Sequence, residues 1–256
     1  MGKINTKNGE IYYSQIGNQR AEKTLIFIPG SGMTAKFMER FSMNFTEYNT
    51  ITLDLPGHGQ STGCVSSSVQ ELADCIEEVI RALYEQKIAT EDITILGYSL
   101  GGFVAVSLGL IDMPQVKRIV VISSCADLAT NPLGMALADM TAVDPMQIYS
   151  AMCGSKTEEE KCKEIQKMFL DDLKDAELLF KDLYSARAFN IIDKVSSIDK
   201  SMLIVIGDDD SVIQAKDAEH LAKLVKKSKI IKYSGFGHAM LFENTQQVVE
   251  DIKAFI

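Results

Sequence analysis

The sequence predicts an α/β protein: a mainly parallel, doubly wound sheet into which a helical segment is inserted. Three observations carry this. Short apolar, β-branched runs alternate along the chain with stretches patterned at helical spacing, as strands joined by crossover helices require. Several of those runs are nearly continuous in apolar residues, as in strands covered on both faces. Between about residues 127 and 197 the strand pattern is suspended and only helical signals remain, a connection too long to lack its own structure. With 256 residues, the chain can form one such domain with a large core.

Taken in order, Asn8-Gly9 is a hairpin turn signal between residues 4–6 and the run 10–16, predicting an opening antiparallel hairpin. Residues 24–28 form an apolar strand that stops at Pro29-Gly30-Ser31-Gly32, a loop whose glycines can expose backbone N–H groups. Residues 50–55 form the next strand, ended by the dense turn signal Pro56-Gly57-His58-Gly59-Gln60-Ser61. Ser68-Val69-Gln70-Glu71 has the form of a capping box. Behind it Val69, Leu72, Ala73, Ile76, Val79, Ile80 and Leu83 recur at helical spacing. Ile93 to Leu96 is a strand, Gly97 to Gly101 a turn, and an apolar helix follows; residues 118–122 are another buried strand.

In the inserted segment, Asp144-Pro145 predicts a helix start and Gly154 an end. Thr157-Glu158-Glu159-Glu160 predicts a second capping box. Cys162, Ile165, Met168 and Phe169 share one helical face, and Leu173, Ala176, Leu179, Phe180 and Leu183 share the next. Strand and helix alternation then resumes, with strands over 202–206 and 229–233, a helix around 213–225 and a closing helix from about Thr245. The expected division is therefore a core of residues 1–126 and 198–256 with an inserted cap of residues 127–197.

Composition narrows the function classes. A formal net charge of −9 argues against nucleic acid or an anionic membrane as partner, since both need a basic face. The first residues carry no apolar signal-peptide core, and five cysteines without C-x-x-C spacing predict reduced thiols and no zinc site, so a cytoplasmic setting is expected. Residues 93–111 are uncharged and long enough to cross a bilayer. Gly97, Tyr98, Ser99, Gly101 and Gly102 interrupt the middle, however, and a buried strand followed by a buried helix accounts for the same pattern.

The chemistry centres on Gly97-Tyr98-Ser99-Leu100-Gly101. A serine at a strand-to-helix turn has its hydroxyl clear of the backbone and helix N–H groups beside it. To act as a nucleophile it needs a base, an acid to orient the base, and donors for an oxyanion. The chain has three histidines. His58 sits in a tight turn and reads as structural; His220 sits in a charged helical run and reads as a surface residue. His238 lies in the Gly-rich loop after the last strand, at the same sheet edge as Ser99, and is the expected base. The acid is offered three times, by Asp208, Asp209 and Asp210 after the preceding strand; those not used to orient the histidine can cap the following helix.

Gly-x-Ser-x-Gly, then an acid, then a histidine, in this chain order, resembles the α/β-hydrolase superfamily of serine esterases and lipase-like enzymes. Two further stretches are similar to the same family. Pro29-Gly30-Ser31-Gly32 stands where the family has its His-Gly oxyanion loop, and Asp54-Leu55-Pro56-Gly57-His58-Gly59-Gln60-Ser61 is close to its D-x-P/R-G-x-G-x-S turn. The resemblance covers the whole chain and places the helical segment where the family carries its cap. It implies Ser99, His238 and Asp210 as the catalytic set, Asp210 because the family's acid follows Gly-x-x, with Asp209 the runner-up. It implies backbone N–H groups of Ser31 and Leu100 as oxyanion donors, Gly32 being an alternative to Ser31. The chain departs from the family at Pro29, where histidine is usual, and in lacking a proline soon after the acid.

These parts predict a serine hydrolase acting on small or medium carboxylic esters through an acyl-enzyme, with no metal or organic cofactor. Thioester hydrolysis and carbon–carbon bond hydrolysis use the same parts. Epoxide hydrolases and haloalkane dehalogenases of this fold need a carboxylate where Ser99 stands. A ligand-binding sensor with an idle site is the alternative from another class. For the substrate, Met33, Tyr98 and Met240 flank the expected site. Met135, Met140, Met146, Met152 and Met168, with Leu133, Leu137, Ile148 and Tyr149, give the cap an apolar, adaptable lining, or else simple packing against the core.

Overall fold

The computed structural model describes residues 1–131, 136, 149, 151–173 and 175–256. Among these, β1 (Gly2–Thr6), β2 (Gly9–Gly17), β3 (Lys23–Ile28), β4 (Asn49–Leu53), β5 (Asp92–Tyr98), β6 (Val116–Ile122), β7 (Ser201–Gly207) and β8 (Ser228–Tyr233) form one sheet. Its order is β1-β2-β4-β3-β5-β6-β7-β8. Pairings of β1 with β2 and of β2 with β4 are antiparallel; all others are parallel. The helices with described bounds are α1 (Ala35–Ser42), α2 (Val69–Glu85), α3 (Leu100–Gly109), α4 (Glu159–Asp172), α5 (Ala176–Ala186), α6 (Ala215–Leu224), α7 (Met240–Glu243) and α8 (Thr245–Phe255).

Alternation along the buried strands divides the core. Ile26, Ile28, Ile93 and Ile95 face α2, α3 and α6. Leu25, Phe27, Leu96 and Tyr98 face α1, α8 and the helices α4 and α5. The predicted face of α2 is buried, and each such aliphatic side chain removed from water contributes about 1.5–3 kcal/mol. All of α3 is buried, which explains the uncharged stretch from Ile93 onward. No described helix is long and apolar enough to cross a membrane.

Local signals and structure differ at several places, in three of them because a distant partner intervenes. The first hairpin turns at Lys7-Asn8, one residue before the Asn8-Gly9 expectation. There Asn8 Nδ2 donates to the Cys64 carbonyl, and Gly9, at φ +117°, lies against Thr62 and Gly63. Strand β4 ends at Leu53, leaving Asp54 in the following loop. Its carboxylate accepts from Ala35 N–H at 2.6 Å and Gln60 N–H at 2.7 Å. Helix α1, absent from the sequence reading, is N-capped by Thr34, whose hydroxyl accepts from Phe37 N–H at 3.2 Å. Such a cap is worth about 1 kcal/mol. Finally, Thr157 caps nothing: α4 starts two residues later, and the Thr157 hydroxyl donates to Glu243 at 2.6 Å. Leu173 caps the C-terminus of α4 and is not part of α5. The expected helix start at Asp144-Pro145, and Leu133, Met135, Leu137, Met140, Met146 and Ile148, lie outside the described residues.

Candidate active site

Strand β5 runs through the middle of the sheet and delivers Ser99 at its carboxyl end. Ser99 has φ +52° and ψ −116°, a conformation that costs an L residue about 1–3 kcal/mol and persists only where the surroundings impose it. Two glycines make the turn sterically feasible. A Cβ on Gly97 would lie 2.0 Å from the Gly101 carbonyl oxygen, and one on Gly101 would lie 2.2 Å from that of Ile28. Helix α3 therefore presses its first turn against the end of β3, beside the Pro29–Gly32 loop.

His238 and Asp210 meet Ser99 from the loops after β8 and β7. Ser99 Oγ is 3.0 Å from His238 Nε2, and His238 Nδ1 is 2.8 Å from Asp210 Oδ2. With Nδ1–H donating to the carboxylate, Nε2 is free to accept the serine proton. The other oxygen of Asp210 accepts from Val212 N–H at 2.9 Å and Ile213 N–H at 2.8 Å, which fixes the carboxylate plane. Both His238 and Asp210 are buried. The neighbouring acids go elsewhere: Asp208 accepts from Gly235 N–H at 2.6 Å, and Asp209 accepts from the N–H and hydroxyl of Ser155.

The backbone of His238 is held from below. Its carbonyl accepts from Tyr98 Oη at 3.1 Å and Ser123 Oγ at 3.0 Å. Burial keeps the Tyr98 phenol protonated well past its ordinary range, so it stays a donor. Tyr98 is fully buried beside the imidazole, with ring centroids 5.5 Å apart, and its Cδ1 lies 3.2 Å from where a Gly30 Cβ would stand. Met240 is likewise fully buried. Met33 Sδ and the Ser99 Cβ lie at the same 3.2 Å from that Gly30 position.

In the loop after β3, Gly32 N–H donates to Asp182 Oδ2 at 2.8 Å and Met33 N–H to the Gly30 carbonyl at 3.3 Å. The Leu100 N–H opens α3, where a helix leaves its amides without intrahelical acceptors. His58, read as structural, is buried in its turn; Nδ1 bonds the Pro56 carbonyl at 3.0 Å and Nε2 bonds Asp182 at 2.9 Å. His220 is exposed. Asp182 and Glu243 escaped the sequence reading. The signal for Asp182 was present, a carboxylate set between Leu179 and Leu183 on the buried face of α5.

Burial pulls the His58 pKa down, but the hydrogen bond and charge of Asp182, with Asp54 beyond, outweigh it, so the net shift is upward from 6.5. The folded state thus binds the proton more tightly than the unfolded chain. The added stability is fully present below about pH 6.5 and is lost as pH rises through the elevated folded value. The difference in melting temperature between wild type and His58→Gln is therefore expected to shrink from pH 6 to pH 8.5. A constant difference would contradict the charged pair.

Glu243, also buried, collects Gly154 N–H at 2.8 Å and Gly237 N–H at 3.0 Å. It joins two loops whose backbones touch: Lys156 N–H donates to the Gly235 carbonyl and Ala239 N–H to that of Met152. A Cβ on Gly154 would lie 2.4 Å from Gly235 O.

A mostly parallel sheet with helices on both faces, bearing a serine at the central strand-to-helix turn within reach of a histidine and an acid, is that of an α/β hydrolase. The chain belongs to the hydrolase family described as serine aminopeptidase S33, whose profile it matches over residues 19–245. It is similar to the pimeloyl-[acyl-carrier protein] methyl ester esterase of Vibrio cholerae, with 22% identity over 259 residues covering 95% of this chain and 97% of the relative. It is also similar to 3-oxoadipate enol-lactonase 1 of Acinetobacter baylyi, 23% identical over 261 residues, covering 91% and 95%. Among solved structures, a lipase-esterase related protein from Clostridium acetobutylicum superposes with a TM-score of 0.84 at 25% identity, over 96% of this chain and 99% of that one.

Proposed function

We propose that this hydrolase cleaves carboxylic esters of small or medium acyl chains through an acyl-enzyme on Ser99. The observation that carries the reading is the continuous hydrogen-bond chain from Asp210 through His238 to Ser99. The names of its relatives, a methyl ester esterase and an enol-lactonase, are in keeping with an ester substrate.

Ser99 Oγ attacks the ester carbonyl carbon as its proton passes to His238 Nε2. The N–H groups of Ser31 and Leu100 hold the oxygen as it becomes negative. The intermediate collapses, and the alcohol leaves with the proton from His238. Water then attacks the acyl carbon, giving a proton to His238, and the acid departs as that proton returns to Ser99. Residues 127–197 act as a cap over the site. Met33 lines the acyl side, backed by the buried aromatic cluster of Phe37, Tyr149 and Phe169 that joins α1 to the cap.

The test is a p-nitrophenyl ester series with a fluorophosphonate probe. Medium-chain esters are expected to turn over faster than the acetate, and the probe to label Ser99. A flat or reversed chain-length profile would count against the apolar acyl site. Absence of labelling in folded protein would favour a binding domain.

A further inference from the structure

The loop after β3 is held from outside the core, by two carboxylates of the segment proposed as the cap. Gly32 N–H goes to Asp182 on α5. Thr34 N–H goes to Asp172 at the end of α4 at 3.1 Å, and the Thr34 hydroxyl donates to the same carboxylate at 3.0 Å. Met33 N–H is turned back on Gly30. Within residues 31–34, and among the described residues, Ser31 alone keeps an N–H without a protein acceptor. Helices α4 and α5 also crowd Gly32 directly: a Cβ there would meet Leu173 Cδ1 at 3.0 Å and Leu179 Cβ at 3.2 Å.

Asp182 is 2% exposed, and its oxygen accepts both from Gly32 and from His58 at 2.9 Å. A bare carboxylate one residue from an oxyanion donor would oppose the negative charge that develops there. A protonated His58 cancels that charge, and the pair is neutral as a whole.

We propose that Asp182 is a positioning residue for the oxyanion site. It takes up the Gly32 amide, leaves Ser31 N–H as the donor from this loop, and relies on His58 to neutralise it. The loop is thereby in working order only while α5 is docked. This rests on the reading of Ser99 as nucleophile with Ser31 and Leu100 as donors.

The experiment measures kcat, KM, fluorophosphonate labelling rate and melting temperature with p-nitrophenyl butyrate. Asp182→Ala is expected to lower kcat about 10- to 100-fold, less than the roughly 100- to 1000-fold lost when an oxyanion donor is removed outright, with KM changed by less than about threefold. Asp182→Asn keeps an acceptor for Gly32 and should hold kcat within about fivefold of wild type, although it too loses the ion pair. A role in stability alone predicts that both lose melting temperature while kcat stays put; equal kcat in Asp182→Ala and wild type, or equal losses in the two variants, overturns the proposal.

A second arm does not depend on Asp182→Ala folding. His58→Gln leaves Asp182 charged but unneutralised and should lower kcat about tenfold. Adding Asp182→Asn to it should restore kcat to within about threefold of Asp182→Asn alone. A double variant no better than His58→Gln overturns the proposal. If wild type is not labelled at Ser99, or Ser99→Ala keeps its activity, the underlying serine mechanism has failed instead.

Discussion

Replacing Ser99 with alanine is expected to lower ester turnover by about 10⁴-fold or more, the scale on which removing a serine nucleophile acts in triad enzymes. The loss should fall on kcat, because the acyl-enzyme can no longer form, while KM changes little. Fluorophosphonate labelling should vanish with it. The fold should survive, since among the described residues Ser99 Oγ bonds only the His238 ring and the backbone conformation at this position is imposed by Gly97, Gly101 and the end of β3. Melting temperature is the control. More than a tenth of wild-type activity in a folded Ser99→Ala protein would remove the serine from the mechanism.

Asp210→Asn is expected to cost about 10³- to 10⁴-fold, for a reason visible in the hydrogen bonds. One oxygen of Asp210 already accepts from Val212 and Ile213 N–H groups, so the asparagine carbonyl must occupy that side. Its NH₂ is then turned to His238 Nδ1 and can only donate. The imidazole proton shifts to Nε2, where it faces Ser99 and cannot receive the serine proton. Asp209→Asn, by contrast, alters an exposed carboxylate bonded to Ser155 and should leave kcat/KM within about twofold. Activity measured on both variants decides the acid, and a large loss at 209 with none at 210 would reverse the assignment.

These two residues also mark how far the sequence could be read. Ser99 was legible because its turn, its glycines and its flanking strand and helix are consecutive in the chain. His238 was legible by elimination among three histidines and by its place after the last strand. The acid was not resolved from residue pattern alone, because Asp208, Asp209 and Asp210 occupy one turn and their directions depend on partners in other loops. The mainly parallel, doubly wound character of the sheet followed from alternation, and its covering on both faces from apolar runs. What stayed hidden has two causes. Thr157 lost its cap role to Glu243, the Asn8-Gly9 turn moved to suit Cys64 and Thr62, and α1 was overlooked although Thr34, Phe37, Met38 and Phe41 carry its cap and its buried face. The first two are settled by contacts across tens of residues, which no local propensity encodes, whereas α1 is short and its signals are local.

The seam between residues 152–157 and 235–237 bears on how substrate enters. Backbone lies on backbone there, with a Gly237 Cβ position only 2.6 Å from Gly154 N, and Glu243 fastens both sides. No substrate can pass through so dense a contact without breaking the loop that carries His238. The doorway to Ser99 therefore lies elsewhere on the rim of the site, and substitutions meant to widen it, or to admit bulkier alcohols, belong away from the histidine loop.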